Sequence, residues 1–262
     1  MNQIYNNIGR GYDITRKADP GIASRLAELL GLRSDGKYLD LACGTGNYTI
    51  AVSNFGGEWH AIDSSEEMLS KAHSKRTNIS WEAGDAENID LDDALFDGAM
   101  ITLAIHHFVD LNSALKEAAR VLKSGAPLVI LTAMPEQLRQ YWLTEYFPEM
   151  MSKSVLSMPG LDEIQRGLNE AGLRLELTEN FYINPGLTDL FLYSGKQRPE
   201  LYLSERVRNG ISSFHRFCPG PELENGLSRL SSDIDSGHIN EVISKYTDEA
   251  GDYKYLRAIK ES

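Results

Sequence analysis

Short apolar runs alternate along the first half of the chain with segments whose apolar positions recur every three or four residues. The first pattern fits buried strands and the second fits helices that lay one face on a core. Strands are expected at 37–41, 58–62, 79–83, 96–103 and 128–132, with a helix over 47–54. Ser64-Ser65-Glu66-Glu67 is a capping-box signal ahead of Met68 and Leu69. Leu111, Ala114, Leu115, Ala118 and Leu122 form one apolar stripe, as do Leu161, Ile164, Leu168 and Ala171. A long strand is expected at 173–183 and a last one at 252–259. Repeated strand–helix units imply a parallel sheet with crossover helices, hence an α/β fold.

Two segments break the alternation. Residues 135–160 carry Tyr141, Trp142, Tyr146, Phe147 and three methionines, too apolar for a solvated linker. Residues 187–251 contain RPELYLSERVRNGISSF and INEVISKY, which look helical. Two readings stand: a helical cap over one end of the sheet that shapes a substrate site, or ordinary helices completing the core elsewhere. The resulting division has N-terminal helices at 1–34, a core at 35–133, 161–186 and 252–262, and cap insertions at 134–160 and 187–251.

Composition changes this picture only by exclusion. A net charge of -12 argues against nucleic acid as a partner, because phosphate neutralisation needs clustered Lys and Arg. The cations between Lys71 and Arg76 are expected to end a solvated helix. No apolar run is long enough to span a bilayer, and the opening MNQIYNNIGRGYD has no apolar signal core, so a cytoplasmic protein without membrane partners is expected. Cys43 and Cys218 are too few for a disulfide or thiolate metal framework and are expected to be buried small hydrophobes. His60 and His73 show no ligand spacing and are expected to be structural.

Chemistry enters at LDLACGTGNYT, residues 39–49, where a strand breaks into a glycine turn and a helix. Such a turn brings backbone close to a ligand. The third glycine of a dinucleotide fingerprint is replaced by Thr49, which weakens the case for NAD, and no P-loop lysine follows. Asp40, Asp63 and Asp85 end three successive strands. Three carboxylates suit a ligand with a ribose, an amine and positive charge rather than phosphates.

These features resemble a class I S-adenosylmethionine (SAM)-dependent methyltransferase. Asp40 to Gly46 matches that family's glycine motif, Ala61-Ile62-Asp63 its ribose motif and Gly84-Asp85-Ala86 its adenine motif; residues 96–107 and 121–128 resemble later segments. The resemblance implies a three-layer, Rossmann-like, seven-stranded sheet with an antiparallel last strand. It also implies SAM as cofactor, S-adenosylhomocysteine (SAH) as product, and cofactor contacts from Asp40, Ala42, Gly44, Gly46, Asp63, Ser64, Met68, Asp85, Ala86 and Leu103. Ala42 is tolerable there if its φ is negative, whereas a glycine-only conformation would strain it.

An N-terminal helix would bring Tyr5, Tyr12 and Arg16 near one face. In the family the pattern Tyr12-Asp13-Ile14-Thr15-Arg16 lies near the SAM carboxylate; the other reading packs Tyr12 on the core and leaves Arg16 in water. His106 and His107 follow the fourth strand and are candidates for a general base, or for bracing the loop. Methyl transfer needs alignment and no metal. The expected function is methylation of an O, N or C atom of a small molecule. The alternatives are a SAM- or SAH-binding protein without turnover, or methylation of protein or RNA. Neither the acceptor nor the oligomeric state is legible in the chain.

Overall fold

The computed structural model describes residues 12–76, 78–246 and 249–262. Its centre is one seven-stranded sheet in the order β3-β2-β1-β4-β5-β7-β6. The strands are β1 (Lys37–Leu41), β2 (Glu58–Asp63), β3 (Ser80–Ala83), β4 (Gly98–Thr102), β5 (Pro127–Thr132), β6 (Leu173–Phe181) and β7 (Tyr253–Lys260). The first five pair in parallel, and β7 runs antiparallel to both of its neighbours. The expected α/β fold with its reversed last strand is therefore present.

Residues of successive parity on the strands feed opposite faces. Tyr38, Met100, Val129 and Leu131 join one apolar cluster, and Leu39, Ile101, Leu128 and Ile130 the other. The second cluster is covered by α5 (Leu111–Val121) and α8 (Leu161–Glu170), the two helices whose stripes the spacing predicts. The first is covered by α2 (Pro20–Leu30), α3 (Asn47–Ser53), α4 (Glu66–Lys75) and residues of segments 134–160 and 187–251. Local capping explains where several of these begin: Asp19 accepts from the amides of Gly21 and Ile22, Ser65 from Met68, and Asp110 from Asn112 and Ser113.

The fourth strand is shorter than its apolar run. Phe96 instead forms an isolated bridge to Leu122, and Asp97 turns its carboxylate to the Lys37 amide and the Lys123 ammonium. At the other end Leu103 leaves the ladder with φ 55°.

The two segments outside the alternation are helical. The first holds α6 (Pro135–Leu138), a 3-10 turn (Trp142–Glu145) and α7 (Pro148–Ser157). The second holds a 3-10 turn (Pro199–Leu203), α9 (Glu205–Asn209), α10 (Ser212–Phe217), α11 (Gly220–Ser236) and α12 (Ile239–Ser244). They pack on each other: a Cβ added at Gly226 of α11 would stand 2.4 Å from the Phe147 ring and 2.5 Å from the Tyr146 carbonyl. Trp142, Tyr146 and Tyr202 are fully buried in that packing. Among the described residues no helix is long and apolar enough to cross a membrane.

Candidate active site

Between β1 and α3 the chain reverses through Ala42, Cys43, Gly44, Thr45 and Gly46, and three of these five have positive φ: Ala42 at 59°, Gly44 at 57° and Gly46 at 72°. The two glycines serve different ends. A Cβ at Gly44 would meet no atom within 4 Å, so only its φ calls for glycine. At Gly46 a Cβ would stand 2.2 Å from the Trp81 ring, so this glycine also permits close packing against β3. The condition on which Ala42 was tolerable is not met. It holds a left-handed conformation that is strained by about 1–2 kcal/mol for a side-chain-bearing residue. Ala42→Gly is accordingly expected to leave urea-melt stability unchanged or raise it by up to about 1 kcal/mol, since relief of strain opposes the greater chain entropy of glycine; a loss above that would show the strain is not there.

The turn opens on a cavity of about 450 Å³ across the C-terminal strand ends. That volume lies within the roughly 300–1,000 Å³ of small-molecule sites. Of the residues expected to contact cofactor, Arg16, Ala42, Gly44, Asp63, Ser64, Met68, Asp85, Ala86 and Leu103 line it. Tyr12 lies in α1 (Tyr12–Thr15), a single turn, and its side chain falls outside the described part of the structure, as does the whole of Tyr5.

Two of the residues expected to contact cofactor do not line the cavity. Asp40 is only 2% exposed and does not line the cavity, because the Thr49 hydroxyl, one turn into α3, donates to its Oδ2 at 2.6 Å. Burial pushes its carboxyl up to about 7, against the hydrogen bond from Thr49. Gly46 does not line it either; it faces Trp81. A carboxyl whose folded pKa is raised stabilises the fold fully below its unfolded value near 3.8, and that contribution is lost as pH rises toward 7. Asp40→Asn is thus expected to gain on the parent by up to roughly 4 kcal/mol between pH 4 and 7, then level off. Parallel urea melts across that range check it, and a pH-independent difference would refute it.

Asp63 does face the cavity. Its Oδ2 accepts from the Gly44 amide at 2.7 Å and its Oδ1 from the Ser65 amide at 2.8 Å, so one carboxylate ties the glycine turn to the start of α4. Burial raises its pKa, and the two amides oppose that rise. Asp85 accepts from the Glu87 amide and sits at the rim of the same cavity. The Thr102 hydroxyl oxygen, at the end of β4, is buried without a hydrogen-bond partner although its residue lines the cavity.

Several contacts at the site join residues far apart in sequence. Asp13 accepts from the Thr45 hydroxyl at 2.6 Å and the Asn47 amide at 3.0 Å, while Lys75 donates to Asp13, to the Thr45 carbonyl and to Asn47. The end of α4 is therefore not simply solvated. Burial disfavours charge on both members of this pair, but the hydrogen bonds from Lys75, Thr45 and Asn47 leave Asp13 below its ordinary value. Arg16 is neither in water nor alone: it donates to Asp189 at 2.6 Å and to the Gly210 carbonyl, and Asp189 also accepts from Tyr48. Cys43 is half-buried, packing on the core as well as lining the cavity, and burial holds its thiol well above its usual range.

A second cavity of about 70 Å³ adjoins the first, and Arg16, Leu103 and His107 line both. Its remaining wall comes from the end of β5, the start of β7 and the segments 134–160 and 187–251, including Ala133, Met158, Phe191, Leu192, Ile211 and Tyr253. His106 lines only this smaller space, and its Nδ1 is buried without a partner. Loss of solvent, with Arg216 and Arg16 nearby, lowers His106 to about 3 and puts His107 well below its ordinary value. Neither ring is matched to accept a proton near neutral pH. His60 and His73 are structural as expected: one pairs with Glu82 at 2.8 Å, the other lies beside Trp81.

Among the described residues, the charged lining of the large cavity is Arg16 against Asp63, Asp85, Glu87 and Asp189. Four carboxylates to one guanidinium favour a cationic ligand over a phosphorylated one. An amino acid sulfonium joined to a ribose and an adenine fits that donor and acceptor set. Asp63 would hold the ribose hydroxyls, Asp85 the adenine side, and the acidic surround the positive charge.

Residues 39–130 match a family model described as a methyltransferase domain. Over 202 residues the chain is 30% identical to a demethylmenaquinone methyltransferase of Staphylococcus aureus, spanning 66% of this chain and 84% of that protein. A crystal structure described as a methyltransferase of an antibiotic biosynthesis pathway in Anabaena variabilis superposes with a TM-score of 0.84 at 32% identity, covering 93% of this chain and 98% of that one. Geranyl diphosphate C-methyltransferase from Streptomyces coelicolor, solved with SAH, shares the fold with a TM-score of 0.57 at 13% identity, covering 92% and 78%.

Proposed function

Because this chain belongs to the class I SAM-dependent methyltransferases, we propose that it methylates a small apolar molecule whose reacting end enters the second cavity. The observation that carries this reading is the junction of the two spaces at Arg16, Leu103 and His107, roofed by side chains of the cap. At about 70 Å³ the second space is roughly half the ~150 Å³ that holds a benzene ring, so it seats a reacting group rather than a whole ligand. Protein and RNA acceptors fit poorly with an acidic chain of net charge -12.

Bound SAM supplies a methyl group activated by a sulfonium, which transfers in line to a nucleophile as the bonding pair returns to sulfur. The protein's own contribution is alignment. Asp63 and the turn from Ala42 to Gly46 fix one side of the cavity, and the buried Thr102 hydroxyl offers an unused hydrogen bond at its floor. Leu103, held at φ 55°, stands where the two spaces meet. The apolar cap wall excludes water from the reacting atoms. With both imidazoles disfavoured as bases, the acceptor enters as a competent nucleophile that has already given its proton to solvent.

The test is transfer from methyl-labelled SAM to a panel of hydroquinones, phenols, aromatic amines and fractionated cell protein and RNA. The relative's acceptor puts demethylmenaquinone first in that panel. Label extracted into organic solvent with a small molecule is expected. Label confined to protein or RNA would overturn the reading, and tight SAH binding with no transfer to any fraction would favour a binding protein.

A further inference from the structure

We infer that Glu87 is a positioning residue for the cofactor: its carboxylate holds the Val109 backbone in place as a wall of the large cavity and so slows release of the ligand bound there. The inference rests on the reading of that cavity given above and concerns its adenine end, where Asp85 lies. Glu87 Oε1 accepts from the Val109 amide at 2.5 Å, and both residues line the cavity. The two belong to different walls. Glu87 follows β3 and Val109 follows β4, strands separated in the sheet by β2 and β1. Three strand spacings of about 4.8 Å put β3 and β4 roughly 14 Å apart. The bond therefore joins loops that leave the sheet on either side of β1 and β2, the strands that lead to the glycine turn and to Asp63.

Glu87 is the anchored end of this link. Ala86 and Ile89 beside it are buried, and its own amide donates to Asp85 at 3.0 Å. Ile89 is held through its amide by Glu117 and through its carbonyl by Arg120, both on α5. Val109 is the end being held. It is 84% exposed, so burial does little to fix it. It lies in the short connection between the 3-10 turn Ile105–His107 and α5, and Phe108 beside it also lines the cavity. A hydrogen bond to an ionised acceptor is among the stronger single contacts open to such a segment. By fixing the Val109 amide it sets where Phe108 and Val109 stand against a ligand. A wall ordered before binding spares the ligand that ordering cost, and a wall set free lets the bound ligand lose those contacts more often.

The chain has seven valines, few enough to resolve in spectra of the full chain labelled with 15N-valine, and Val109 is assigned by its absence in Val109→Ile. In the ligand-free protein the Val109 amide is expected to exchange with water at least about tenfold faster in Glu87→Ala than in the parent. Glu87→Gln keeps a side-chain oxygen as acceptor and is expected to stay near the parent rate. SAH release, followed by surface plasmon resonance, is expected to quicken about tenfold in Glu87→Ala and less than about threefold in Glu87→Gln. The melting temperature of ligand-free Glu87→Ala is expected within about 4 °C of the parent; a larger drop would make Glu87 a support of the whole fold instead. Equal Val109 exchange in the parent and Glu87→Ala would overturn the bond, and equal release rates would overturn the positioning role. A parent protein that binds no SAH would remove the reading of the large cavity and this inference with it, even with Val109 exchange slow and dependent on Glu87.

Discussion

Asp189→Ala is expected to destabilise the fold by about 3–5 kcal/mol, the range for removing one partner of a buried ion pair and leaving the other uncompensated. Arg16 and Asp189 expose only 14% and 2% of their side chains, so solvent screens the pair weakly. The deletion also removes the acceptor of the Tyr48 hydroxyl, which lies 3.1 Å from Asp189. Urea unfolding measures the loss. The double variant Arg16→Met with Asp189→Leu should recover most of it, because no charge is then left buried. A single-variant loss below about 1 kcal/mol would mean that water reaches the guanidinium and that the N-terminal segment is not pinned by this pair.

Asp63→Ala is expected to weaken SAH binding at least about 100-fold, near 2.7 kcal/mol by calorimetric titration. Asp63 supports two amides that define the turn, and each such charge-assisted bond is worth roughly 1.5–3 kcal/mol. In the reading proposed for the large cavity, the same carboxylate also receives the ribose hydroxyls. Asp63→Asn should also bind weakly, since an amide has one oxygen for two backbone donors and turns its NH₂ toward one of them. An affinity within threefold of the parent in a folded Asp63→Ala would rule the ribose contact out.

How far the chain could be read in advance depended on the range of the interactions involved. Each strand of the sheet was legible from its own apolar run, and β1 ends where expected, at Leu41. Asp63 and Asp85 were legible because a carboxylate at a strand end needs no knowledge of distant residues. Asp40 shares that pattern yet is captured by Thr49, nine residues on, and pattern alone does not tell which acid keeps its solvent face. The remainder of the site is long-range. Arg16 meets Asp189 across 173 positions and His107 meets Arg216 across 109, contacts that only the folded cap creates. Helix α11 escaped notice because its opening Gly-Pro and its serines mask a sparse apolar stripe in which only Gly226 and Leu230 are buried. Ala42 marks the other limit, since nothing in its identity signals the positive φ it adopts.

The seating of Phe147 and Tyr146 against Gly226 bears on any attempt to retarget this enzyme. The two cap segments enter the chain at different points, before β6 and after it, and so look separately exchangeable. A chimaera that imports one of them from a relative would set a foreign helix against a surface shaped for the absence of a single methyl group. Residues 135–157 and 199–244 have to be transplanted together, and library design for new acceptors should treat them as one heritable module.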